Sequence, residues 1–386
     1  MDYNVPVGEG GRIEDNTRIL ETFPTLRYLL EKEGAVILMS HLGRPMGKPA
    51  RRYSLRPIGS EVQRLLQRKV QFVDDCVGIK VDALARQLNP GEILLLENLR
   101  FHPEEEENDI SFARALASLG EVFVNDAFGV SHRKHASVVG IAQFLPAVAG
   151  FLVEKELQVL SELLYNLRRP YFAILGGAKI SDKIGVVENL LRKVDRLLIG
   201  GAMAFTFLKA EGIDVGNSLV DESQMVLVQE LLRKYRDKIR LPSDCLAARG
   251  LSEPGKAMAV TLSVEEKKMQ GLQGFDIGPQ TIAEFSKMLR EEKPQTIFWN
   301  GPMGVFEVSE FATGTLEMAR VLGECAGAQA NVVVGGGDSI AALGQLGLAK
   351  VMTHLSTGGG ASLEFLEGKE LPGLVALADA TSVTRS

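Results

Sequence analysis

The sequence of 386 residues has few cysteines, and none of them are paired at metal-binding or redox spacing. Cys76, Cys245 and Cys325 lie far apart and are odd in number, and no Cys-x-x-Cys pair occurs. Disulfide frameworks use even numbers of cysteines, and structural zinc sites use closely spaced Cys and His residues. The pattern gives no sign of either, and it predicts reduced thiols in a cytoplasmic protein.

The sequence also lacks a basic leader and a long apolar run. Its start, MDYNVPVGEGG, has neither the basic region nor the apolar core of a signal peptide. The longest uncharged stretch, 136–153, contains Pro146, Gln143 and glycines, whereas a membrane helix needs about 20 mostly apolar residues. We therefore expect no membrane segment, and we predict a loop, a short strand and a domain junction at 136–153.

Positive charge is in deficit. The chain has 43 Lys and Arg against 49 Asp and Glu, which gives a net charge of −6. Nucleic acids and anionic membranes are bound by basic surfaces. We therefore expect neither as a partner, while local basic sites could still hold small anions.

Several nucleotide and hydrolase motifs are absent. The sequence contains no GxGxxG, no GxxxxGK[ST], no HExxH, no GxSxG and no protein-kinase motif set. An NAD-dependent enzyme is therefore the weakest interpretation. Any nucleotide must therefore be bound by a loop of a different kind.

Short runs of Leu and β-branched residues alternate with segments of helical periodicity along the chain. This alternation predicts βαβ units and an α/β protein with parallel sheets covered by helices. Segment 151–167 has apolar residues at helical spacing and ends before Arg168-Arg169-Pro170. We therefore predict two lobes joined by this helix, in preference to the alternative of one large doubly wound sheet.

Cationic and hydrogen-bonding side chains follow the predicted strands of the first half. Segments 40–45, 97–102 and 125–129 each come after a strand, and 132–135 follows the last of them. Four of the five histidines fall in these turns. Ligands bind at the carboxyl ends of parallel strands, so the turns predict a pocket for a small carboxylate or phosphate.

The individual cations of this half have plainer explanations. Arg18, Arg44, Arg100 and Arg133 could each be a solvated surface residue, and only their shared position favours a site for the last three. We expect His102 and His135 to support the loops rather than to contact a substrate.

Glycines follow the predicted strands of the second half, at 176–177, 200–201, 301, 335–337 and 358–360. Glycine before a helix lets backbone N–H groups approach an anion closely. A single pair would indicate only a tight turn, but five such turns predict a polyphosphate site.

Two charged features accompany these glycines. Lys179 and Lys183 are four residues apart, the spacing at which a helix places two side chains on one side. They could be surface charges at the start of the helix expected at 181–192, or they could meet an anion there. Asp338 follows three glycines. It could cap a helix or bind Mg²⁺ held by a phosphate.

These motifs resemble those of the phosphoglycerate kinase family over nearly the whole chain. The matching segments are 2–6, 40–45, 97–102, 125–129, 176–183, 203–209, 299–307, 335–339 and 356–364. The resemblance implies two Rossmann-like lobes, each a parallel sheet flanked by helices. The lobes would be 1–150, which binds 3-phosphoglycerate or 1,3-bisphosphoglycerate, and 169–370, which binds Mg-ADP or Mg-ATP. Residues 151–168 would be the connecting helix, and 371–386 would return to the first lobe.

The activity that the resemblance implies is reversible phosphoryl transfer between 1,3-bisphosphoglycerate and ADP in glycolysis and gluconeogenesis. It implies a cytoplasmic monomer whose lobes close on the small-molecule substrates, with Mg²⁺ bound together with the nucleotide. It assigns the catalytic roles to Arg18, Lys183 and Lys179, with Arg18 stabilising the transferring phosphoryl group.

The resemblance also implies two sets of binding residues. The substrate set is Asp2, Asn4, Arg18, His41, Leu42, Gly43, Arg44, Arg100 and Arg133. The nucleotide set is Lys183, Gly201, Gly274, Glu307, Gly336, Gly337, Asp338, Ser339 and Gly359, in which Glu307 contacts the ribose and Asp338 the Mg²⁺.

One departure from the family pattern keeps an alternative open. The family has a strand and an Arg-Val pair before the Asp-x-Asn motif, and this sequence begins with Met1 where the valine would be. An interior strand of the first lobe and one substrate-side arginine would then be missing, and one hypothesis is that the start was misassigned. The alternative function is an N-terminally truncated, non-catalytic nucleotide-binding form. A further rival, another acyl-phosphate kinase, fits the Arg- and His-rich first half less well, because that half suits a doubly anionic substrate.

Overall fold

The computed structural model describes residues 1–265 and 267–383, and the chain divides into two compact units. The first unit comprises Met1–Gln158 and the segment that begins at Glu370, and the second comprises Val159–Lys369. The division falls inside the helix that the sequence predicts as the connection. Residues 384–386, the end of the predicted C-terminal segment, lie outside the described residues.

The first unit contains short parallel strands and helices. Its strands are β1 (Val36–Leu38), β2 (Val70–Phe72), β3 (Ile93–Leu95), β4 (Phe123–Asn125) and β5 (Ala147–Ala149). Its helices are α1 (Thr17–Glu21), α2 (Phe23–Glu31), α3 (Arg56–Leu66), α4 (Ile79–Arg86), α5 (Pro103–Glu106), α6 (Ile110–Ala117) and α7 (Phe151–Tyr165), which continues into the second unit.

The strands of the first unit lie in two separate sheets, whereas a single parallel sheet was expected for this lobe. A parallel sheet has the order β1-β3-β2, and β4 pairs in parallel with β5. β1 and β4 do not pair with each other, so the ladder is interrupted between them. The central strand β3 is fully buried, as expected for a strand covered on both faces.

Side chains at helix ends fix where the helices of this unit begin. The Asp109 carboxylate accepts a hydrogen bond from Phe112 N at 2.8 Å at the start of α6, and Asp126 Oδ1 accepts one from Leu152 N at 2.9 Å at the start of α7. The predicted helix at 15–30 is in fact two helices, α1 and α2. The Thr22 hydroxyl donates to the Ile19 carbonyl at 2.8 Å where they meet.

The second unit is larger and contains the main sheet. Its strands are β6 (Tyr171–Leu175), β7 (Arg196–Ile199), β8 (Ile239–Arg240), β9 (Asp244–Ala248), β10 (Met258–Thr261), β11 (Gln273–Ile277), β12 (Thr296–Asn300), β13 (Asn331–Gly335) and β14 (His354–Ser356). Its helices are α8 (Ile184–Leu191), α9 (Ala204–Ala210), α10 (Met225–Tyr235), α11 (Pro279–Glu292), α12 (Thr313–Gly327), α13 (Gly337–Gln345) and α14 (Gly360–Leu366). The last helix of the chain, α15 (Pro372–Val383), returns to the first unit, where Gly373 N donates to the Ser131 carbonyl at 2.8 Å.

The main sheet is parallel, with the strand order β14-β13-β12-β6-β7-β8. From β6 the chain builds outwards to β8 on one side, and from β12 it builds outwards to β14 on the other. The order therefore reverses between β6 and β12, which are neighbours in the sheet. Tyr171 of β6 lies opposite Thr296 of β12, and Leu175 lies opposite Asn300. Open α/β sheets bind ligands at the carboxyl edge of such a switch point.

A second sheet in this unit was not predicted from the sequence. Strands β10, β9 and β11 form an antiparallel sheet in that order. Its central strand has the sequence DCLAA, in which Asp and Ala have low strand propensity. The parallel strands, such as β13 with its VVV run, are easier to recognise from the sequence because their residues favour strands. The predicted α/β class is confirmed.

Among the residues that the structure describes, no helix is both long enough and apolar enough to cross a membrane.

Candidate active site

In the first unit, the N-terminal residues lie beside the end of β1. The Met1 ammonium donates to the Met39 carbonyl at 3.0 Å, and Tyr3 N donates to Ser40 Oγ at 2.8 Å. Tyr3 is fully buried and anchors this segment. The segment thereby brings its polar residues to the turn that follows β1.

Asp2 and Asn4 connect this segment to the predicted substrate residues. Arg18 Nη1 donates to Asp2 Oδ2 at 2.7 Å, and Asp2 Oδ1 lies 4.0 Å from His41 Nδ1. Asn4 Oδ1 accepts a hydrogen bond from Gly43 N at 2.9 Å. The Asp2 side chain is nearly buried, whereas that of Arg18 is 33% exposed. Arg18 is therefore paired and still open to a ligand.

His41 is buried among charged groups. Burial lowers the pKa of His41 to about 4; the Asp2 carboxylate opposes this shift, and the Arg100 and Arg18 guanidiniums add to it. A neutral imidazole has one donor and one acceptor nitrogen. The positive charge of this region therefore comes from its arginines.

We expect the His41 ring to remain neutral between about pH 5 and pH 8, the range in which an ordinary histidine changes its charge. Burial favours the uncharged form, so the ring should not titrate in this window. NMR chemical shifts of the ring, assigned with a His41→Gln variant, measure this directly. A titration midpoint above pH 6 would contradict the assignment.

Arg100 lies in the turn after β3 and is largely buried. Its Nη1 donates to the Gly43 carbonyl at 2.9 Å, and its Nε lies 3.3 Å from the Glu106 carboxylate. Burial lowers the pKa of Arg100, the Glu106 charge opposes this, and the Arg133 charge adds to it. A guanidinium nevertheless stays protonated. Arg100 thus presents a fixed positive charge beside Gly43.

The remaining predicted substrate residues differ in their placement. Arg44 and Arg133 are exposed, and the positive charge of Arg133 adds to the lowering of the pKa of Arg100. The backbone carbonyl of Leu42 accepts a hydrogen bond from a neighbouring loop side chain, Asn98. The residues joined by direct contacts in this region are Asp2, Asn4, Arg18, His41, Gly43 and Arg100.

Two residues that the sequence analysis gave no role hold this region together. Asn98 Nδ2 donates to the Leu42 carbonyl at 2.7 Å and to the Tyr53 carbonyl at 2.9 Å. The Glu97 carboxylate accepts a hydrogen bond from Leu55 N at 2.7 Å. Both residues are buried. Their position directly after a strand indicated a possible role at the site, but only the fold shows which loops they connect.

In the second unit, Lys183 lies at the switch point of the main sheet. Its Nζ donates to the Gly176 carbonyl at 2.6 Å and to the Asn300 carbonyl at 3.2 Å, so it joins the ends of β6 and β12. Burial lowers the pKa of Lys183 to about 8, while the Asp338 and Asp182 carboxylates oppose the shift. An ammonium has three donors, so two carbonyls leave one for an anion.

Glycines with left-handed backbone surround this lysine. Gly177, Gly201, Gly301 and Gly336 have φ values of 113°, 65°, 93° and 92°. A Cβ at Gly201 would lie 2.5 Å from Gly177 N and 2.7 Å from its carbonyl oxygen. Gly201 is therefore required both by its conformation and by the close approach of the neighbouring backbone.

We expect Gly201→Ala to destabilise the second unit by about 1–3 kcal/mol and to weaken nucleotide use. The matched control is Gly212→Ala, because Gly212 also has positive φ (83°) but a Cβ there would meet no neighbouring atom within 4 Å. Denaturant unfolding of both variants separates the conformational cost from the cost of the close approach. Equal losses in the two variants would refute the role of close packing.

The start of α13 also faces the end of β12. Gly336 is the N-cap residue of α13, and Gly337 and Asp338 are exposed in its first turn. The interpretation of Asp338 as the N-cap is therefore wrong. The buried Ser339 hydroxyl accepts a hydrogen bond from Gly301 N at 2.9 Å. Asp338 is near enough to Lys183 to raise its pKa against the effect of burial.

The predicted helical pairing of Lys179 with Lys183 is wrong. Helix α8 begins at Ile184, Lys183 is its N-cap residue, and Lys183 N donates to the Ile180 carbonyl at 2.8 Å in a turn. The backbone of Lys183, with φ of −132° and ψ of 1°, is not helical. Lys179 is exposed in the loop before this turn.

The other predicted nucleotide residues occupy separate positions in the unit. Gly274 lies inside β11 rather than at a strand end, and its N–H donates to Ser218 Oγ at 3.0 Å. A Cβ at this position would overlap the Phe205 ring. Glu307 is exposed in the loop after β12, and Gly359, with φ of 53°, is the N-cap residue of α14.

Comparison with known proteins decides the family. A family model described as phosphoglycerate kinase matches residues 1–369. The chain belongs to the phosphoglycerate kinase family. The resemblance found in the sequence is thereby confirmed, and the length of the match argues against a truncated, non-catalytic nucleotide-binding form.

Relatives and solved structures of the family agree with this. The phosphoglycerate kinase of Moorella thermoacetica is 52% identical over 382 residues, which cover 98% of this chain and 95% of the relative. That of Chlorobium phaeobacteroides is 51% identical over 383 residues, with the same coverage. The structure of phosphoglycerate kinase from Coxiella burnetii has a TM-score of 0.83 at 38% identity and covers 98% of this chain and 94% of its own. The crystal structure from Pyrococcus horikoshii OT3 has a TM-score of 0.84 at 33% identity, with coverage of 99% and 95%.

Proposed function

We propose that the chain catalyses reversible, Mg²⁺-dependent phosphoryl transfer between 1,3-bisphosphoglycerate and ADP, which gives 3-phosphoglycerate and ATP. It is then a phosphotransferase with a carboxyl acceptor. The observation that carries the proposal is the Lys183 ammonium, which lies at the switch point of the main sheet among left-handed glycines. A lysine ammonium surrounded by glycine backbone N–H groups suits the binding of a chain of phosphates.

The first unit supplies the second substrate site of this proposal. Asp2 and Asn4 hold the glycerate, and His41, Arg44, Arg100 and Arg133 bind its carboxylate and phosphate. The substrate carries negative charge at both ends, and Arg18, Arg100 and Arg133 offer charge-assisted hydrogen bonds to it.

Arg18 stabilises the transferring phosphoryl group. It has five N–H donors and gives one of them to Asp2 at 2.7 Å, so others remain for phosphoryl oxygens. The transition state of phosphoryl transfer carries spread negative charge, so positioning and cations do most of the catalysis. The reacting carboxylate is already ionised at neutral pH, so no general base is needed.

The nucleotide site uses Lys183 and Lys179 for the phosphates and Glu307 for the ribose. Gly201, Gly274, Gly336, Gly337, Ser339 and Gly359 complete its walls. Asp338 is an exposed carboxylate in the first turn of α13, and its hard oxygen donors fit Mg²⁺ carried by a nucleotide. Mg²⁺ bound there would neutralise phosphate charge.

We expect the enzyme to act as a cytoplasmic monomer on small-molecule substrates. A coupled assay tests the function: Mg-ATP and 3-phosphoglycerate are supplied, and the product is followed by NADH oxidation with an added dehydrogenase. Turnover with 3-phosphoglycerate, and none with acetate in a matching assay, is the expected result. Turnover with acetate alone would favour another acyl-phosphate kinase. A folded chain that binds ADP but shows no turnover would refute the proposal.

A further inference from the structure

Three side chains of the types that can bind metals lie close together where the loop after β2 meets the turn after β3. Asp75 and Cys76 belong to the loop, and His102 belongs to the turn. One ligand atom from each residue, namely a carboxylate oxygen, Sγ and a ring nitrogen, lies within 4.8 Å of the other two. Cys76 and His102 are far apart in sequence, and β2 and β3 bring them together because they are neighbours in the sheet. Sequence spacing therefore gave no sign of this cluster.

The fold holds the three side chains in place through their neighbours. His102 Nε2 lies 2.8 Å from Asp75 Oδ1, and the His102 ring stacks on Phe112 with 5.0 Å between ring centroids. Cys76 Sγ donates to the Glu97 carbonyl at 3.0 Å. The three side chains are therefore ordered before a metal binds, and the metal would replace the proton shared by His102 and Asp75 and the proton on Cys76.

We propose that Asp75, Cys76 and His102 bind a divalent transition-metal ion of the Zn²⁺ type, with water as the fourth ligand. Thiolate, imidazole and carboxylate together are the donors of Zn²⁺ and Co²⁺, whereas Mg²⁺ and Ca²⁺ prefer oxygen alone. The site is therefore chemically distinct from the Mg²⁺ site proposed at Asp338.

Access to the cluster is from the side of Asp75 and His102, whose side chains are 51% and 28% exposed. Cys76 is a buried free cysteine, and a dication bound beside it would hold the sulfur as a thiolate ligand. The turn that carries His102 also carries Arg100, so a bound metal would tie the β2 loop to this part of the substrate region.

Cobalt substitution tests the proposal without any enzymatic readout. The full-length, untagged chain is stripped with a chelator and titrated with Co²⁺. We expect one Co²⁺ per chain, a thiolate-to-cobalt charge-transfer band in the near ultraviolet, intense visible bands of tetrahedral cobalt, and loss of all of them when Zn²⁺ is added.

Variants assign the ligands. Cys76→Ser should abolish the charge-transfer band, and Cys325→Ser, which removes another buried free thiol, should leave it unchanged. His102→Gln should weaken Co²⁺ binding by about tenfold or more, and it decides the matter if Cys76→Ser does not fold. Absence of the band in the wild type, its persistence in Cys76→Ser, or undiminished affinity in His102→Gln would overturn the proposal.

Discussion

Replacing Arg18 by alanine is expected to lower the turnover number by about 100- to 1000-fold while the chain stays folded. The guanidinium is the cation that we place on the transferring phosphoryl group, and alanine removes it. The Arg18 side chain is 33% exposed, and its close partner is the Asp2 carboxylate at 2.7 Å. The loss should therefore appear mainly in kcat, with a modest loss of stability from the unpaired Asp2.

Two further variants separate charge from packing. Arg18→Lys keeps the charge but loses the planar fork, so it should recover part of the activity. Arg27→Ala is the control, because Arg27 is an exposed arginine of the same unit that lies over the Phe23 ring, away from Asp2. Steady-state kinetics and thermal unfolding are measured for all three. A kcat of Arg18→Ala close to that of the wild type would remove Arg18 from the mechanism.

The alternation of strands and helices was the part of the fold that the sequence predicted best. Buried parallel strands such as β6 and β13 are continuous apolar runs, and they are followed by glycine turns or helices, so their identity is encoded locally. The antiparallel strands β9, β10 and β11 depend on pairing across long turns. Their sequences carry little local signal, and they were missed for that reason.

The candidate site shows the same division between local and long-range information. The glycine turns and the Arg- and His-rich turns could be found because each directly follows a strand. The hydrogen bonds of Lys183 to two different strand ends could not be found, because Gly176 and Asn300 are distant in sequence. For the same reason, Asn98 and the ion pair of Asp2 with Arg18 became evident only in the fold.

The second large effect is expected at Lys183. Replacing it with methionine, which has a similar length and no charge, should lower kcat/KM for Mg-ATP by about 100-fold or more, because a phosphate-binding cation is lost. Lys209→Met is the matched control: Lys209 is an exposed lysine of the same unit, and it is paired with Glu222 at 2.5 Å. The kinetics of Lys209→Met should match those of the wild type. A Lys183→Met variant with unchanged kcat/KM would refute the nucleotide site proposed here.

The pH dependence of nucleotide use provides a sharper test of the same residue. The pKa of Lys183 is lowered from 10.5 to about 8 in the folded chain. Between these two pKa values, Lys183 is protonated in the unfolded chain but mostly neutral in the folded chain. Lys183 therefore makes the free energy of unfolding rise with pH over this range. Phosphate binding needs the ammonium, so the KM for Mg-ATP should instead rise as the pH passes about 8. Lys183→Arg keeps its charge throughout and should lack this rise. A KM that is independent of pH in the wild type, or an equal rise in Lys183→Arg, would show that Lys183 does not titrate at the phosphates.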